Sequence, residues 1–87
     1  MKVVILSPER PVFEGEATAV VAPAYDGEVG ILPRHAPFMT LLGEGRLLVR
    51  RQEGTQEFKV KGGFLQVRQD TVRVVAEYAT EVTNADS

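Results

Sequence analysis

Turn residues recur about every eight to twelve positions along this chain, and no helical stripe develops between them. That spacing belongs to all-β sandwiches and barrels. Lys2 to Leu6 is apolar and β-branched, and two prolines in Ser7-Pro8-Glu9-Arg10-Pro11 interrupt it. Proline donates no hydrogen bond to a ladder, so a central strand ends there. Val12-Phe13 reads as a short extended piece and Glu14-Gly15 as a turn. Glu16 to Ala22 is a strand with both faces at least partly covered, and Pro23 ends it.

Phe38 to Leu42 returns as a strand, and Gly43-Glu44-Gly45 turns the chain. Arg46 to Gln52 alternates imperfectly, with Leu47 and Val49 on one side. Glu53-Gly54 is a hairpin turn. Gln56 to Lys61 alternates cleanly, with Phe58 and Val60 inward. Gly62-Gly63 reads as a tight bend before a separate strand, Phe64 to Arg68. Gln69-Asp70 turns into Thr71 to Ala76, after which the alternation fades. These readings give one flattened, mostly antiparallel β-sandwich of about eight to ten short strands. It occupies residues 1–79, with 80–87 as a plain tail. Removal of Thr80 to Ser87 is expected to leave function unchanged. Asn84 or Asp86 would suit a helix N-cap, although no helix follows within these 87 residues.

Composition excludes more than it assigns. A chain of 87 residues buries only roughly 60% of its unfolded surface, so every strand must contribute to stability. The 44% hydrophobic and 25% charged fractions are those of an ordinary globular domain. No cysteine is present, which removes disulfides and thiolate metal ligation. The net charge of −2 is small and of the wrong sign for a nucleic-acid binder. No apolar run approaches the roughly 18–20 residues of a membrane-spanning helix.

The informative stretch is Gly27 to Thr40, GEVGILPRHAPFMT. It holds two of the eight glycines, two of the five prolines and the single histidine. Asp26-Gly27 is a turn pair. Gly30 is expected either to take positive φ or to admit a partner's backbone closely. Pro33 and Pro37 fix φ and push Leu32 and Ala36 toward extended geometry. The expected object is a rigid, irregular loop with Glu28, Arg34 and His35 on its outer side.

Gly27, Glu28, Gly30, Ile31, Pro33, His35 and Pro37 stand at the spacing Gly-acidic-x-Gly-Ile-x-Pro-x-His-x-Pro. With Ser7-Pro8-Glu9, Phe13, Gly15 and Gly62-Gly63 in place, the chain closely resembles the epsilon subunit of F-type rotary ATP synthases. The resemblance covers nearly the whole chain and implies the same sandwich. It implies a non-catalytic rotor-stalk subunit that couples rotation of the c-ring to the gamma subunit, with no cofactor. Contacts with gamma would fall on Ser7, His35, Ala36, Pro37, Phe38, Met39 and Thr40. Contacts with the c-ring loops would fall on Tyr25, Asp26 and Glu28. Gly27, Gly30 and Pro33 would shape the loop. The implied location is peripheral, on the cytoplasmic face of the bacterial inner membrane, with membrane association only through the complex. Family members commonly continue into a helical hairpin that these 87 residues do not contain.

Other readings compete at each site. A lone histidine more often bonds backbone than acts as a base, and no second His or Cys completes a metal site. Gly27 to Gly30 has the GxxG form of an RNA-binding clamp, but lacks its flanking helices and basic residues. Arg46, Arg50 and Arg51 fit a solvated strand face or an edge guarded against aggregation. The alternative function is a free-standing β-sandwich that binds a ligand or peptide at a sheet edge.

Overall fold

The computed structural model describes residues 1–82. Among the described residues eight strands form, within the predicted eight to ten: β1 (Lys2–Leu6), β2 (Pro11–Glu16), β3 (Ala19–Ala24), β4 (Gly27–Ile31), β5 (Phe38–Leu41), β6 (Glu44–Arg51), β7 (Gly54–Arg68) and β8 (Thr71–Glu81). They make one sheet in the order β2-β1-β8-β7-β6-β3-β4, with β5 added to β7. All pairings are antiparallel except β1 with β8, which run parallel.

The long strands β7 and β8 belong to both layers. Lys61 faces Tyr78 and Gly63 faces Ala76, so the β7–β8 ladder keeps its register through Gly62-Gly63. This corrects the expected break there. The two glycines have φ of 69° and 99°, which bends the strand without ending it. Before the bend, Gly54 to Lys61 pairs with β6. After it, Phe64 to Val67 pairs with β5. One layer is therefore β5, the second half of β7, the first half of β8, β1 and β2. The other is the remaining halves of β8 and β7 with β6, β3 and β4.

Both inner faces supply one core. Val3, Ile5, Leu65, Val67, Val72 and Val74 come from the first layer. Val20, Ala22, Ile31, Leu47, Val49, Phe58 and Val60 come from the second. Most of these side chains are fully buried. At about 25 cal/mol per Å² of apolar surface removed from water, they are the main source of stability. Arg51 closes one open side of the sandwich. Its Nε donates to the Glu16 carbonyl (3.2 Å) and its Nη1 to Gln56 Oε1 (2.9 Å). Its guanidinium lies 5.5 Å from the centroid of the Phe13 ring, and Phe13 in turn tilts against Phe58.

Four further expectations are corrected. Glu14-Gly15 is strand, because β1 offers Val4 and Val3 as ladder partners. Pro23 lies inside β3 opposite Glu28. Its carbonyl accepts from the Gly43 amide (2.8 Å), so its polar groups point away from β4 and no bond to β4 is lost. Gly27 to Ile31 is strand β4, so only residues 32–37 form the irregular loop. Strand β8 extends to Glu81, where Thr80 and Glu81 pair with Lys59 and Phe58. Deleting from Thr80 onward would thus cut into the sheet. Asn84 and Asp86, named as possible N-caps, lie outside the described residues.

Candidate functional site

The β3–β4 hairpin turns on Tyr25-Asp26, with Ala24 facing Gly27 at its base. Gly27, at φ 133°, lets the chain re-enter the ladder where other residues would be strained. The hairpin is fixed to the end of β5, because the Tyr25 amide donates to the Leu41 carbonyl (3.1 Å) and Ala24 bridges Leu42. Between hairpin and β5 lies an open groove of about 640 Å³. Tyr25, Asp26, Glu28, Phe38, Met39 and Thr40 all line it. Six of the predicted contact residues are thereby brought together.

Residues 32–37 form a tethered turn beside this groove. Pro33 and Arg34 occupy its centre, and the His35 amide donates to the Leu32 carbonyl (3.2 Å). Arg34 adopts φ 65°, the left-handed conformation a type II turn requires at that position. Its amide donates to Asp70 Oδ1 (2.8 Å), which ties the loop to the β7–β8 turn. Asp70 thus holds the loop in place, although sequence reading marked it only as a turn residue. His35 Nδ1 lies 2.7 Å from the Ala36 carbonyl, to which it donates. The imidazole also meets the Phe38 ring edge-on, with centroids 5.8 Å apart. The histidine therefore braces the loop against the start of β5.

The remaining predicted residues are dispersed. Ser7 sits in the β1–β2 connection, where its Oγ donates to the Arg10 carbonyl (3.0 Å). Pro37 borders a shallow depression with Phe38, Met39 and Arg68. Pro33 faces a different cavity, beside Met1, Thr18 and Arg51. Gly30 has no positive φ, and a Cβ there would meet nothing within 4 Å. The expected need for left-handed backbone at Gly30 is therefore corrected. Gly30→Val is expected to fold with an unchanged or slightly raised Tm, since valine suits an exposed strand better than glycine. Thermal unfolding followed by circular dichroism checks this. A drop of more than about 1 kcal/mol in stability would mean that the strand depends on glycine there after all.

Cross-strand register exposes a feature that sequence reading missed. Leu41 faces Phe64, Phe64 faces Val75, and Val75 faces Leu6. Directly opposed residues project from the same face of a sheet. These four side chains make a continuous apolar row across β5, β7, β8 and β1, on the outer surface of the first layer. Leu41 is 61% exposed and neighbouring Met39 60%. By the same alternation, Phe38 and Thr40 turn inward with buried Val67 and Leu65. The signal was present as apolar doublets: Ile5-Leu6, Phe64-Leu65 and Val74-Val75. A strand with one face in water alternates, and a doublet gives the second face an apolar residue as well.

Among the described residues, no three of His, Cys, Asp or Glu converge as metal ligands. No polar side chain among them is buried. The arrangement offers an exposed apolar row with the acidic hairpin tip beside its Leu41 end, and a braced loop at the other end of β5. Such a surface suits binding to another protein.

Comparison with known proteins agrees with that geometry. The family described as ATP synthase, Delta/Epsilon chain, beta-sandwich domain matches residues 1–82. The chain is 42% identical over 77 residues to the ATP synthase epsilon chain of Caulobacter vibrioides, covering 88% of this chain and 90% of that one. It is 46% identical to the epsilon chain of Dehalococcoides mccartyi strain BAV1, covering 99% of this chain and 61% of the relative. The chain thus spans about three fifths of the longer relative. Among solved structures, a chain in the Euglena gracilis mitochondrial ATP synthase superposes with a TM-score of 0.83 at 22% identity, covering 91% of this chain and 51% of that one. One in the Tetrahymena thermophila mitochondrial central stalk and c-ring gives 0.74 at 17%, covering 90% and 63%. These two likenesses concern the fold.

Proposed function

The chain belongs to the ATP synthase delta/epsilon-chain β-sandwich family, and we propose that it serves as a non-catalytic rotor-stalk subunit of an F-type ATP synthase. Its work is mechanical. It clamps the foot of the gamma subunit to the loops of the c-ring, so that ring rotation becomes torque on gamma. It is peripheral to the membrane, on the cytoplasmic face in a bacterium, and held there by its partners.

The apolar row Leu41–Phe64–Val75–Leu6 is the observation that supports this most directly. It starts at Leu41, beside the β3–β4 hairpin, and crosses one face of the first layer that is available to gamma. Met39 and Leu41 reach toward the partner, while Phe38 and Thr40 support them from below. Ser7 follows Leu6 at the far end of the row. His35, Ala36 and Pro37 hold the loop at the opposite end of β5, beside Asp70 and Arg68. Tyr25, Asp26 and Glu28 stand at the hairpin tip and address the ring. The sheet suits a transmitting part, because every layer shares the continuous strands β7 and β8. A force applied at the hairpin passes through β3, β6 and β7 without crossing a flexible linker.

The test is assembly and coupling in a synthase stripped of this subunit. Added back, the chain is expected to co-purify with gamma and the ring and to restore ATP-driven proton pumping. Replacement of both Asp26 and Glu28 by Lys should leave the melting curve intact and reduce pumping severalfold. One exposed ion pair is worth only about 0–1 kcal/mol, so single changes are expected to show little. Failure of the wild-type chain to co-purify would refute the rotor assignment. Normal pumping by the double variant would refute the ring-facing role of the tip.

A further inference from the structure

The outer surface of the first layer is not apolar throughout. Beside the apolar row, Arg73 faces Gln66, and Arg68 faces Thr71 at the last pair before the turn. Both arginines are exposed, and with Gln66, Gln69 and Thr71 they border a shallow depression of about 350 Å³. They stand diagonally across the β7–β8 ladder, a separation of about 7–8 Å. Neither forms an ion pair among the described residues. The acids nearest in the ladder are already engaged. Glu14 pairs with Lys2 Nζ (3.1 Å), and Asp70 accepts from the Arg34 amide.

This placement is uneconomical for an isolated domain. Acids outnumber bases in the chain, 12 to 10, yet two like charges sit close together without a counter-ion. Like charges so close on a sheet cost stability. Arginine also presents a planar fork suited to carboxylates, with donors that here have no assigned acceptor. The pair adjoins the apolar row on the same face. Arg73 stands two residues from Val75, and Arg68 four from Phe64. At about 3.4 Å per strand residue, these are about 7 and 14 Å.

We infer that Arg68 and Arg73 are the polar end of the docking face and take carboxylates of the same gamma segment that covers Leu41, Phe64, Val75 and Leu6. The inference rests on the docking proposed above and specifies its chemistry. The segment has apolar side chains at one end. Its Asp or Glu lie about 7–14 Å further along, which on a helix is about one and a half to two and a half turns. The apolar row supplies most of the affinity. The arginines set direction, because a segment docked the wrong way round would put apolar groups on two charges.

The experiment measures binding of the chain to its cognate gamma subunit from about 50 to 500 mM salt, with Debye screening as the probe. The wild-type chain is expected to weaken at least about fivefold across that range. R68Q/R73Q should bind more weakly at low salt and lose most of the salt dependence. R68E/R73E should be at least about tenfold weaker at low salt, with an unchanged melting curve. Equal affinity and equal salt slope in all three proteins would overturn the inference. So would arginine-dependent binding to vesicles of anionic phospholipid with no effect on gamma, which would assign the pair to a membrane headgroup. Absence of wild-type binding would instead refute the docking itself. A loss confined to Met39→Asp/Leu41→Asp would leave the docking standing and remove only the role of the arginines.

Discussion

Gly63→Ala is expected to cost at least about 3 kcal/mol and to lower Tm by on the order of 15 °C. Two independent effects combine at this position. Gly63 holds φ 99°, a conformation that side chains rarely adopt. An added Cβ would also be driven into the Val75 carbonyl, and it would lie 2.9 Å from Ala76 Cα. Val75 is part of the ladder that joins the two layers, so the backbone has little freedom to yield. Relief by straightening β7 would break either the β6 pairing or the β5 pairing. Gly54→Ala makes a useful comparison. That glycine also has positive φ, at 140°, but a Cβ there meets nothing. It is expected to cost about 1 kcal/mol, from backbone strain alone. Thermal and urea unfolding of both variants separates the two effects. Equal losses would mean that the corner tolerates a side chain and that the bend is not what holds the layers together.

Met39→Asp/Leu41→Asp is expected to weaken gamma binding at least about a hundredfold, which corresponds to about 2.7 kcal/mol. Both side chains are about 60% exposed in the free chain, so the substitution removes little that the isolated fold depends on. In the complex, the apolar contacts of both positions would be lost and the carboxylate at position 41 would be buried against apolar surface without a partner, a desolvation whose cost is large. The melting curve of the free variant should stay within a few degrees of wild type. Binding measured by titration calorimetry or biolayer interferometry gives the affinity. An unaltered Kd would place the gamma contact elsewhere on the sandwich.

Local pattern revealed most of the strands, and the misreadings came where long-range pairing overrides a local signal. Gly62-Gly63 looks like a turn from either side. Only the uninterrupted β8 partner, running from Thr71 to Glu81, turns it into a bend within one strand. Glycine and proline similarly concealed β4 and the end of β3. Yet Val29 and Ile31 alternate with Glu28 and Gly30, which is the period of a strand. The residues expected to make contacts at the hairpin and β5 cluster in one unusual stretch of sequence, and they converge on one groove. The apolar row was not legible, because its members come from four strands far apart in sequence. Their adjacency exists only once the register is known. Asp70 escaped for the same reason, since its partner Arg34 lies 36 residues away.

The absence of cysteine from the chain makes a direct measurement of the docking account available. Leu41→Cys and Asp26→Cys, each carrying the single thiol of its protein, are labelled with a short heterobifunctional reagent, thiol-reactive at one end and photoreactive at the other, assembled into the synthase and irradiated. Leu41→Cys is predicted to cross-link to gamma and, when left unlabelled, to be shielded from maleimide once assembled. Asp26→Cys is predicted to cross-link to a c-ring subunit. A Leu41→Cys thiol that stays freely reactive in the assembled enzyme and joins no partner would contradict the account.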